Sequence, residues 1–368
     1  MRLGELIETR KGKKPIVIRA KADPGDRRLL QIEDLREGAT PRSCPAMSGE
    51  VLARTSDILI AWDGANSGTS SYGLEGSVGS TLALLRPRSG IGVHTPYLGH
   101  FIRSRQAFLR SLCKGATVPH IDPRVLAELE VPLPNLEEQR RIAAILDQAD
   151  ALRAKRREAL AAVKALTRSI FVSVFGHPLV NDRGWPEREL QGLGRVVTGK
   201  TPPTAEQAMF GGPIPFVTPG DLGSGRPPKR TLTEAGATHS RVVRRGATLV
   251  CCIGATIGKV GRAECASAFN QQINAVEWNE AVHDAYGYAS LEFRRGVIAA
   301  AGTSTTLPLL NKSGFQRLRI PVPPSELQLK YARQVRLAER VATDHSTQLD
   351  QFDVLFASLQ DRAFKGDL

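Results

Sequence analysis

The sequence predicts an α+β protein in which two pseudo-repeated α/β domains are separated by two long helices that form an antiparallel coiled coil. Three observations predict it. The 368-residue chain repeats itself with a period near 189, Pro132 recurring as Pro321 and Gln139 as Gln328. Each copy opens with short apolar runs broken by Gly, Pro, Ser and Thr, the texture of strands and loops. Each closes in a stretch without proline, 135–176 and 325–365, rich in Ala, Leu, Arg and Glu, the texture of a long helix.

In chain order the divisions are a first domain at 1–134, a helix at 135–176, a second domain at 177–323 and a second helix at 324–368. Apolar runs such as Ile58-Leu59-Ile60-Ala61 and Leu249-Val250-Cys251-Cys252 read as buried strands. The match is offset by 187 for Gly12/Gly199 and Asp34/Asp221, by 190 for Gly64/Gly254 and Gly68/Gly258, and by 189 from Pro119/Pro308 onward. Insertions therefore fall early in each copy. Asn135 with Glu138, and Ser325 with Gln328, have capping-box spacing after proline-rich approaches, marking both helix starts.

A heptad frame fits both helices. In the first, Ile142, Ala149, Arg156, Val163 and Ile170 share one seam position, and Ile145, Leu152, Ala159, Leu166 and Ser173 the other. In the second, Tyr331, Ala338, His345, Phe352 and Leu359 align with the first set, and Val341 and Leu355 with the second. Pairing would bury this seam, with Arg156 and His345 as single polar interruptions suited to fixing register. A helix from Leu136 to Phe175 is ~60 Å long at ~1.5 Å per residue, a spacer as much as a core.

Composition narrows the function. Hydrophobic residues make up 41% and charged residues 24%, no stretch suits a bilayer, and no signal peptide opens the chain, so a cytoplasmic location is expected. The five cysteines lack CxxC spacing and read as reduced thiols, with neither a disulfide framework nor a zinc site. Fifty Lys and Arg against 37 Asp and Glu leave +13, which favours a polyanionic partner. Two equivalent readers on a rigid spacer suit a split DNA site of two half-sites; duplication serving stability alone is the competing reading.

Catalytic motifs fail one by one. Gly194-Arg195-Val196-Val197-Thr198-Gly199-Lys200-Thr201 matches the phosphate-cradling P-loop, but Pro202-Pro203 follows at once and bars the helix whose amides would hold phosphate. No GxSxG, HExxH or GxGxxG is present, no lysine has an acidic residue two before it, and no Asn-Pro-Pro-aromatic tetrapeptide occurs. A binding subunit without a catalytic, cofactor or metal site is expected. Two readings compete with it: a P-loop NTPase acting on nucleic acid, and a coiled-coil scaffold that touches no DNA.

Across its whole length the chain resembles the specificity subunit of type I restriction–modification systems. Gly199-Lys200-Thr201-Pro202, Gly211-Gly212-Pro213-Ile214-Pro215-Phe216-Val217-Thr218-Pro219-Gly220-Asp221-Leu222, Gly254-Ala255-Thr256-Ile257-Gly258-Lys259 and Phe269-Asn270-Gln271-Gln272 carry the likeness. So do the proline-to-helix junctions at Pro132 and Pro321 and the ending Arg362-Ala363-Phe364-Lys365-Gly366-Asp367-Leu368. The first domain departs from the pattern, with Gly12-Lys13-Lys14-Pro15 and no counterpart of Asn270-Gln271.

The resemblance implies a noncatalytic subunit whose two target recognition domains each read half of a bipartite site on double-stranded DNA. It implies two modification (methyltransferase) subunits and restriction subunits as partners, with S-adenosylmethionine, ATP and Mg belonging to those partners. Candidate DNA-binding residues are polar or basic loop residues near the quoted motifs. In the first domain these are Lys13, Lys14, Arg19, Arg42, Arg54, Asn66, Ser67 and Tyr72. In the second they are Lys200, Thr201, Arg226, Lys229, Arg230, Arg241, Arg244, Arg245 and Lys259. A solvated surface charge is the competing reading for each. Asn66, Ser67 and Tyr72 lie on the Gly-rich loop after Trp62, which itself reads as core.

Overall fold

The structure, a computed structural model, describes residues 1–36, 40–113, 119–302 and 308–368. It divides into unit 1, Met1–Lys155 with Leu349–Leu368, and unit 2, Arg156–Gln348.

Unit 1 opens with α1 (Leu3–Leu6), β1 (Ile7–Lys11), β2 (Arg27–Leu30), β3 (Arg42–Cys44) and β4 (Leu52–Ala53). It continues with β5 (Ile58–Ala61), β6 (Ser70–Tyr72), β7 (Gly76–Val78), β8 (Leu82–Pro87), α2 (Thr95–Ser104), α3 (Gln106–Ser111) and α4 (Pro123–Ala127). The long helix α5 (Leu136–Phe175) starts in this unit and ends in unit 2. Unit 2 then holds β9 (Glu187–Glu189), β10 (Gly194–Thr198), β11 (Phe210–Val217), β12 (Arg230–Leu232), α6 (Glu234–Thr238) and β13 (Val242–Val243). After these come β14 (Thr248–Cys251), β15 (Val260–Arg262), β16 (Ser267–Phe269), β17 (Ile273–Trp278), α7 (Asp284–Phe293), α8 (Arg295–Ala300), α9 (Lys312–Gln316) and β18 (Arg319–Pro321). The last helix, α10 (Ser325–Lys365), starts in unit 2 and ends in unit 1.

Each unit has two four-stranded sheets with one apolar layer between them and another beneath the helices. In unit 1 the inner sheet runs β1-β8-β5-β6 and the outer β3-β2-β7-β4; in unit 2 the orders are β10-β17-β14-β15 and β12-β11-β16-β13. Strands alternate faces, so Ile58 and Ile60 enter the helix-side core while Leu59 and Ala61 enter the layer between the sheets. Val250 and Leu249 divide in the same way in unit 2. Burial on both faces explains why these strands read as continuous apolar runs.

Several hydrogen bonds and turns recur in both copies. The Tyr97 hydroxyl donates to the Pro132 carbonyl at 2.7 Å, and Tyr286 to Pro321 at 2.7 Å. Gly68 and Gly258 both have positive φ, +90° and +87°, and a Cβ at Gly258 would lie 2.5 Å from the Arg295 carbonyl, so only glycine fits this turn. The Asn135 side chain caps α5 by accepting the Glu138 N–H at 2.9 Å. The second cap differs from expectation. Ser325 lies inside α10, and Gln328 turns toward the domain: it accepts the His283 N–H at 2.8 Å and donates to Ala281 and Pro323 carbonyls at 3.1 and 2.8 Å.

The helices pack antiparallel in each unit. In unit 1 the start of α5 meets the end of α10, with Arg153 bonded to Asp353 at 2.7 Å and Ile142 in one core with Phe364. In unit 2 the end of α5 meets the start of α10, with Arg156 at 2.8 Å from His345 Nδ1 and the Phe171 ring 5.4 Å from Tyr331. Ile142, Tyr331 and Ala338 are buried, and Ala149, Val163, Ile170, Phe352 and Leu359 are half-buried. The second seam set differs from the sequence frame. Leu152, Leu166, Val341 and Leu355 are 47%, 53%, 39% and 51% exposed. Their places are taken by residues one position on, Leu146, Arg153 and Thr167 in α5 and Val335, Ala342, Leu349, Phe356 and Ala363 in α10. The frame fails there because apolar residues flank the seam on both sides, and 3,4 and 4,3 spacings share one heptad.

A buried polar contact ties the first domain to α5. His100, fully buried, places Nε2 2.8 Å from Asp147 Oδ1 and 3.0 Å from the Tyr72 hydroxyl, which also donates to Asp147. Its Nδ1 is buried with no partner among the described residues. Protonation there would bury an N–H without an acceptor, and burial holds the imidazole below its ordinary pKa, outweighing Asp147; Arg103 and Asp150 complete the charged surroundings. His94 is lowered for the same reason. The unfolded chain therefore binds more protons than the folded one below about pH 6.5. Unit 1 is expected to lose stability as pH falls from about 6.5 toward 5, and His100→Gln to flatten that slope. Thermal midpoints across this range check it, and a wild-type midpoint indifferent to pH contradicts it.

Candidate nucleic-acid interface

Helices cover the inner sheet of each unit, and in unit 2 the short α6 also packs on β11 and β12, so the rest of the outer sheet and the loops at its edges are where a ligand has access. In unit 2, β10 runs from Gly194 to Thr198 and delivers Gly199 and Lys200 to the sheet junction. Their N–H groups donate to the Ile273 and Phe269 carbonyls at 3.0 Å each. The amides a P-loop would aim at phosphate are thus consumed by the fold, and only a 3-10 turn at Gln207–Met209 follows. That removes the NTPase reading. Among the described residues no group of His, Cys, Asp and Glu could hold a metal ion. The Cys252 thiol is buried, which pushes its pKa up to about 12 and leaves it unreactive.

The side chains on this face fall into two kinds. Arg244 is held by the fold: it pairs with both Asp284 oxygens at 2.7 and 2.8 Å and donates to the Trp278 carbonyl at 3.1 Å. The bond to Asp284 raises it above the ordinary guanidinium value. Lys200, Lys229, Arg241 and Arg245 are exposed and, among the described residues, make no ion pair. Arg226 is exposed and Lys259 half-buried. Thr201 donates to Gln271 at 2.5 Å, joining the opening loop to the Asn270-Gln271 turn. Arg230, exposed on β12, lies over the Phe210 ring at 4.6 Å and the Phe216 ring at 5.6 Å. Stacking orients a guanidinium while its edge N–H groups remain available to phosphate or a guanine edge. Sequence reading missed both aromatics, which β11 brings together across a register shift between Phe210 and Ile214 that alternation along the strand does not show.

In unit 1 the sequence candidates scatter more. Lys13, Lys14 and Arg54 are exposed, and Arg42 donates to Gln31 at 3.2 Å. Asn66 accepts from Arg36. Three candidates are occupied elsewhere. Arg19 clamps Asp26 at 2.7 and 2.9 Å. Ser67 is 1% exposed; its hydroxyl donates to the Gly64 carbonyl at 2.7 Å and lies 3.1 Å from the Pro119 carbonyl, closing the loop. The Tyr72 hydroxyl points to His100 and Asp147, as above. Trp62 packs at the edge of the core. An open cleft of about 550 Å³, lined in part by Arg10, Arg27, Arg28, Arg54 and Arg86, was not foreseen. Four of these arginines are already neutralised, by Glu8, Glu50, Asp34 and Asp57 at 3.2, 2.9, 2.9 and 2.6 Å. The Arg27-Arg28 pair was the available signal.

Duplicated two-sheet domains with basic outer loops, joined through paired helices and, among the described residues, with no nucleotide cradle, define a duplicated binding module. The family model for the type I restriction modification DNA specificity domain matches twice, over residues 1–162 and 182–340, and the chain belongs to that family. Over 152 residues it is 35% identical to the type I restriction enzyme MjaVIII specificity subunit of Methanocaldococcus jannaschii, covering 41% of this chain and 36% of that one. Over 163 residues it is 29% identical to the HindI specificity subunit of Haemophilus influenzae, covering 42% and 35%. The chain thus spans about a third of the length of these two relatives. The crystal structure of a type I restriction–modification S subunit from M. genitalium shares the fold, with a TM-score of 0.62 at 17% identity over 99% of this chain and 95% of that one. Among the described residues no helix is long and apolar enough to cross a membrane.

Proposed function

We propose that this chain is the noncatalytic DNA-specificity subunit of a type I restriction–modification assembly. Residues 1–134 and 177–323 each read one half of a bipartite site on double-stranded DNA, and the helices at 135–176 and 324–368 set the gap and dock two modification subunits and the restriction subunits. S-adenosylmethionine, ATP and Mg act on those partners. The observation that carries this reading is the double match to one DNA specificity domain. The exposed cations of the outer faces support it, with Lys200, Lys229, Arg230, Arg241 and Arg245 in one domain and Lys13, Lys14 and Arg54 in the other. Phosphate contacts by such residues position the duplex, and a few base-edge contacts specify the sequence.

The test is modular. Exchanging residues 177–323 for those of another family member, in a cell that also makes the modification subunits, is expected to change one half of the methylated sequence and leave the other half intact. Sequencing of methylated adenines reads this out. Change in both halves, or methyl transfer by the purified chain alone, would overturn the reading.

A further inference from the structure

The two copies share the base of one loop and differ at its tip. At the base, Gly12 and Gly199 donate N–H bonds to Leu82 and Ile273 at 2.9 and 3.0 Å, and Lys13 and Lys200 to Val78 and Phe269 at 3.0 Å each. Pro15 and Pro202 are both buried beneath the loop. Beyond the proline the second copy has Pro203, Thr204 and Ala205, whereas the first has Ile16, Val17 and Ile18.

Those three aliphatic residues stand in solvent, Ile16 at 96%, Val17 at 43% and Ile18 at 44% exposure. A lone exposed Ile needs no explanation, but a run of three does. The fold does not require the bulk, because the second copy holds the same loop base without it. Nor is the loop loosely tethered. Arg19 exchanges backbone hydrogen bonds with Ser43 at 2.9 Å in both directions, and its guanidinium is fixed by Asp26 at 2.7 Å and Asp23 at 3.1 Å. The result is an aliphatic tip on an anchored base, with two exposed lysines, Lys13 and Lys14, just before the buried Pro15 and no ion pair on either among the described residues.

We propose that Ile16 is a wedge residue that enters a groove of the DNA and packs against the base step of the first half-site, while Lys13 and Lys14 hold the flanking phosphates. This rests on the DNA-reading function proposed above. The charge pattern selects the occupant: cations beside an aliphatic tip match a nucleic acid, whose phosphates line the groove and whose apolar surface lies in the base stack. Apolar insertion unstacks a step at a cost that depends on its sequence, so the wedge contributes specificity through deformability as well as contact. The second half-site, faced by Thr204 and Ala205, has no equivalent.

The experiment uses the full chain co-expressed with its modification subunits. Bound duplexes are selected from a random library for wild type, Ile16→Ala and Ile16→Ser, and 2-aminopurine is then placed at each position of the first half-site. Because Ile16 is exposed, both variants are expected to keep the wild-type thermal midpoint. They should bind the selected site about tenfold more weakly, lose preference at one step of the first half-site and keep the second half-site intact. Wild type should raise 2-aminopurine fluorescence at that step, and the variants should not. If wild type selects a bipartite site and the variants match it in affinity, preference and fluorescence, the wedge is overturned while the function stands. Loss of modification-subunit binding with DNA preference unchanged overturns it in favour of a protein contact. If wild type selects no bipartite site, the function reading itself fails.

Discussion

Phe171→Ala is expected to cost unit 2 about 3–5 kcal/mol, the range for deleting a buried aromatic ring. The ring is 1% exposed and has neighbours on four sides: Phe175 and Phe293 at 4.9 Å, Tyr331 edge-on at 5.4 Å and Tyr286 stacked at 5.5 Å. Deletion loses the transfer free energy, leaves a cavity the rigid rings cannot close, and removes aromatic pairing of about 0.5–1.5 kcal/mol for each pair. The cluster joins the end of α5, the start of α10 and helix α7. Denaturant unfolding followed by separate probes in each unit should show the loss in unit 2 and an unmoved transition in unit 1. A loss below about 1 kcal/mol would contradict the packing described.

The cluster also shows how the repeat closes. Phe175, at the end of the first copy's helix, packs on Tyr286 of the second domain at 4.8 Å, and Phe364, at the end of the second copy's helix, packs on Tyr97 of the first domain at 5.5 Å. Each domain thus receives its own helix's start and the other helix's end. Phe175 and Phe364 stand 189 residues apart, and the expected antiparallel pairing already sends each helix end to the other domain; the rings they meet there, Tyr286 and Tyr97, are set by tertiary packing that spacing does not carry.

Legibility was uneven for similar physical reasons. The helices were plain because two forty-residue stretches without proline have no alternative, and one half of the seam, from Ile142 to Ile170, followed from its strict seven-residue period. The other half was obscured because Arg153 and Thr167 occupy it while Leu152 and Leu166 stand outside. At the interface, charge type could be read but commitment could not. Arg244 and Arg245 are indistinguishable in sequence, yet Asp284, forty residues on, claims only the first. Ser67 looked like a loop hydroxyl available to a ligand, but its single O–H is buried among three carbonyls, those of Trp62, Gly64 and Pro119, with Gly64 the nearest acceptor at 2.7 Å.

Gln328→Ala should be nearly as damaging as the aromatic deletion, and Gln139→Ala its equal in the other unit. Gln139 is fully buried and repeats the bracket of Gln328: it accepts the His94 N–H at 2.9 Å and donates to the Gly92 and Pro134 carbonyls, each at 2.9 Å. Either truncation removes three hydrogen bonds made by a buried amide to backbone groups that are themselves mostly part-buried or exposed. Water can reach some of those groups, so a total of about 2–3 kcal/mol is expected, below the full sum of about 1–3 kcal/mol for each group left unsatisfied. Glu at the same positions keeps the size but loses the two N–H donors, and should rescue little. The bracket fixes the first turn of each long helix to the loop before the domain's own α2 or α7, and so fixes the direction in which the helix leaves its domain. If the proposed function holds, Gln139→Ala impairs reading of the first half-site and Gln328→Ala that of the second, each beyond what lost stability explains at a temperature where both variants stay folded. Urea midpoints together with half-site selection measure the two effects separately. Equal damage to both half-sites from either variant would show that the helices, and not the brackets, set the reading geometry.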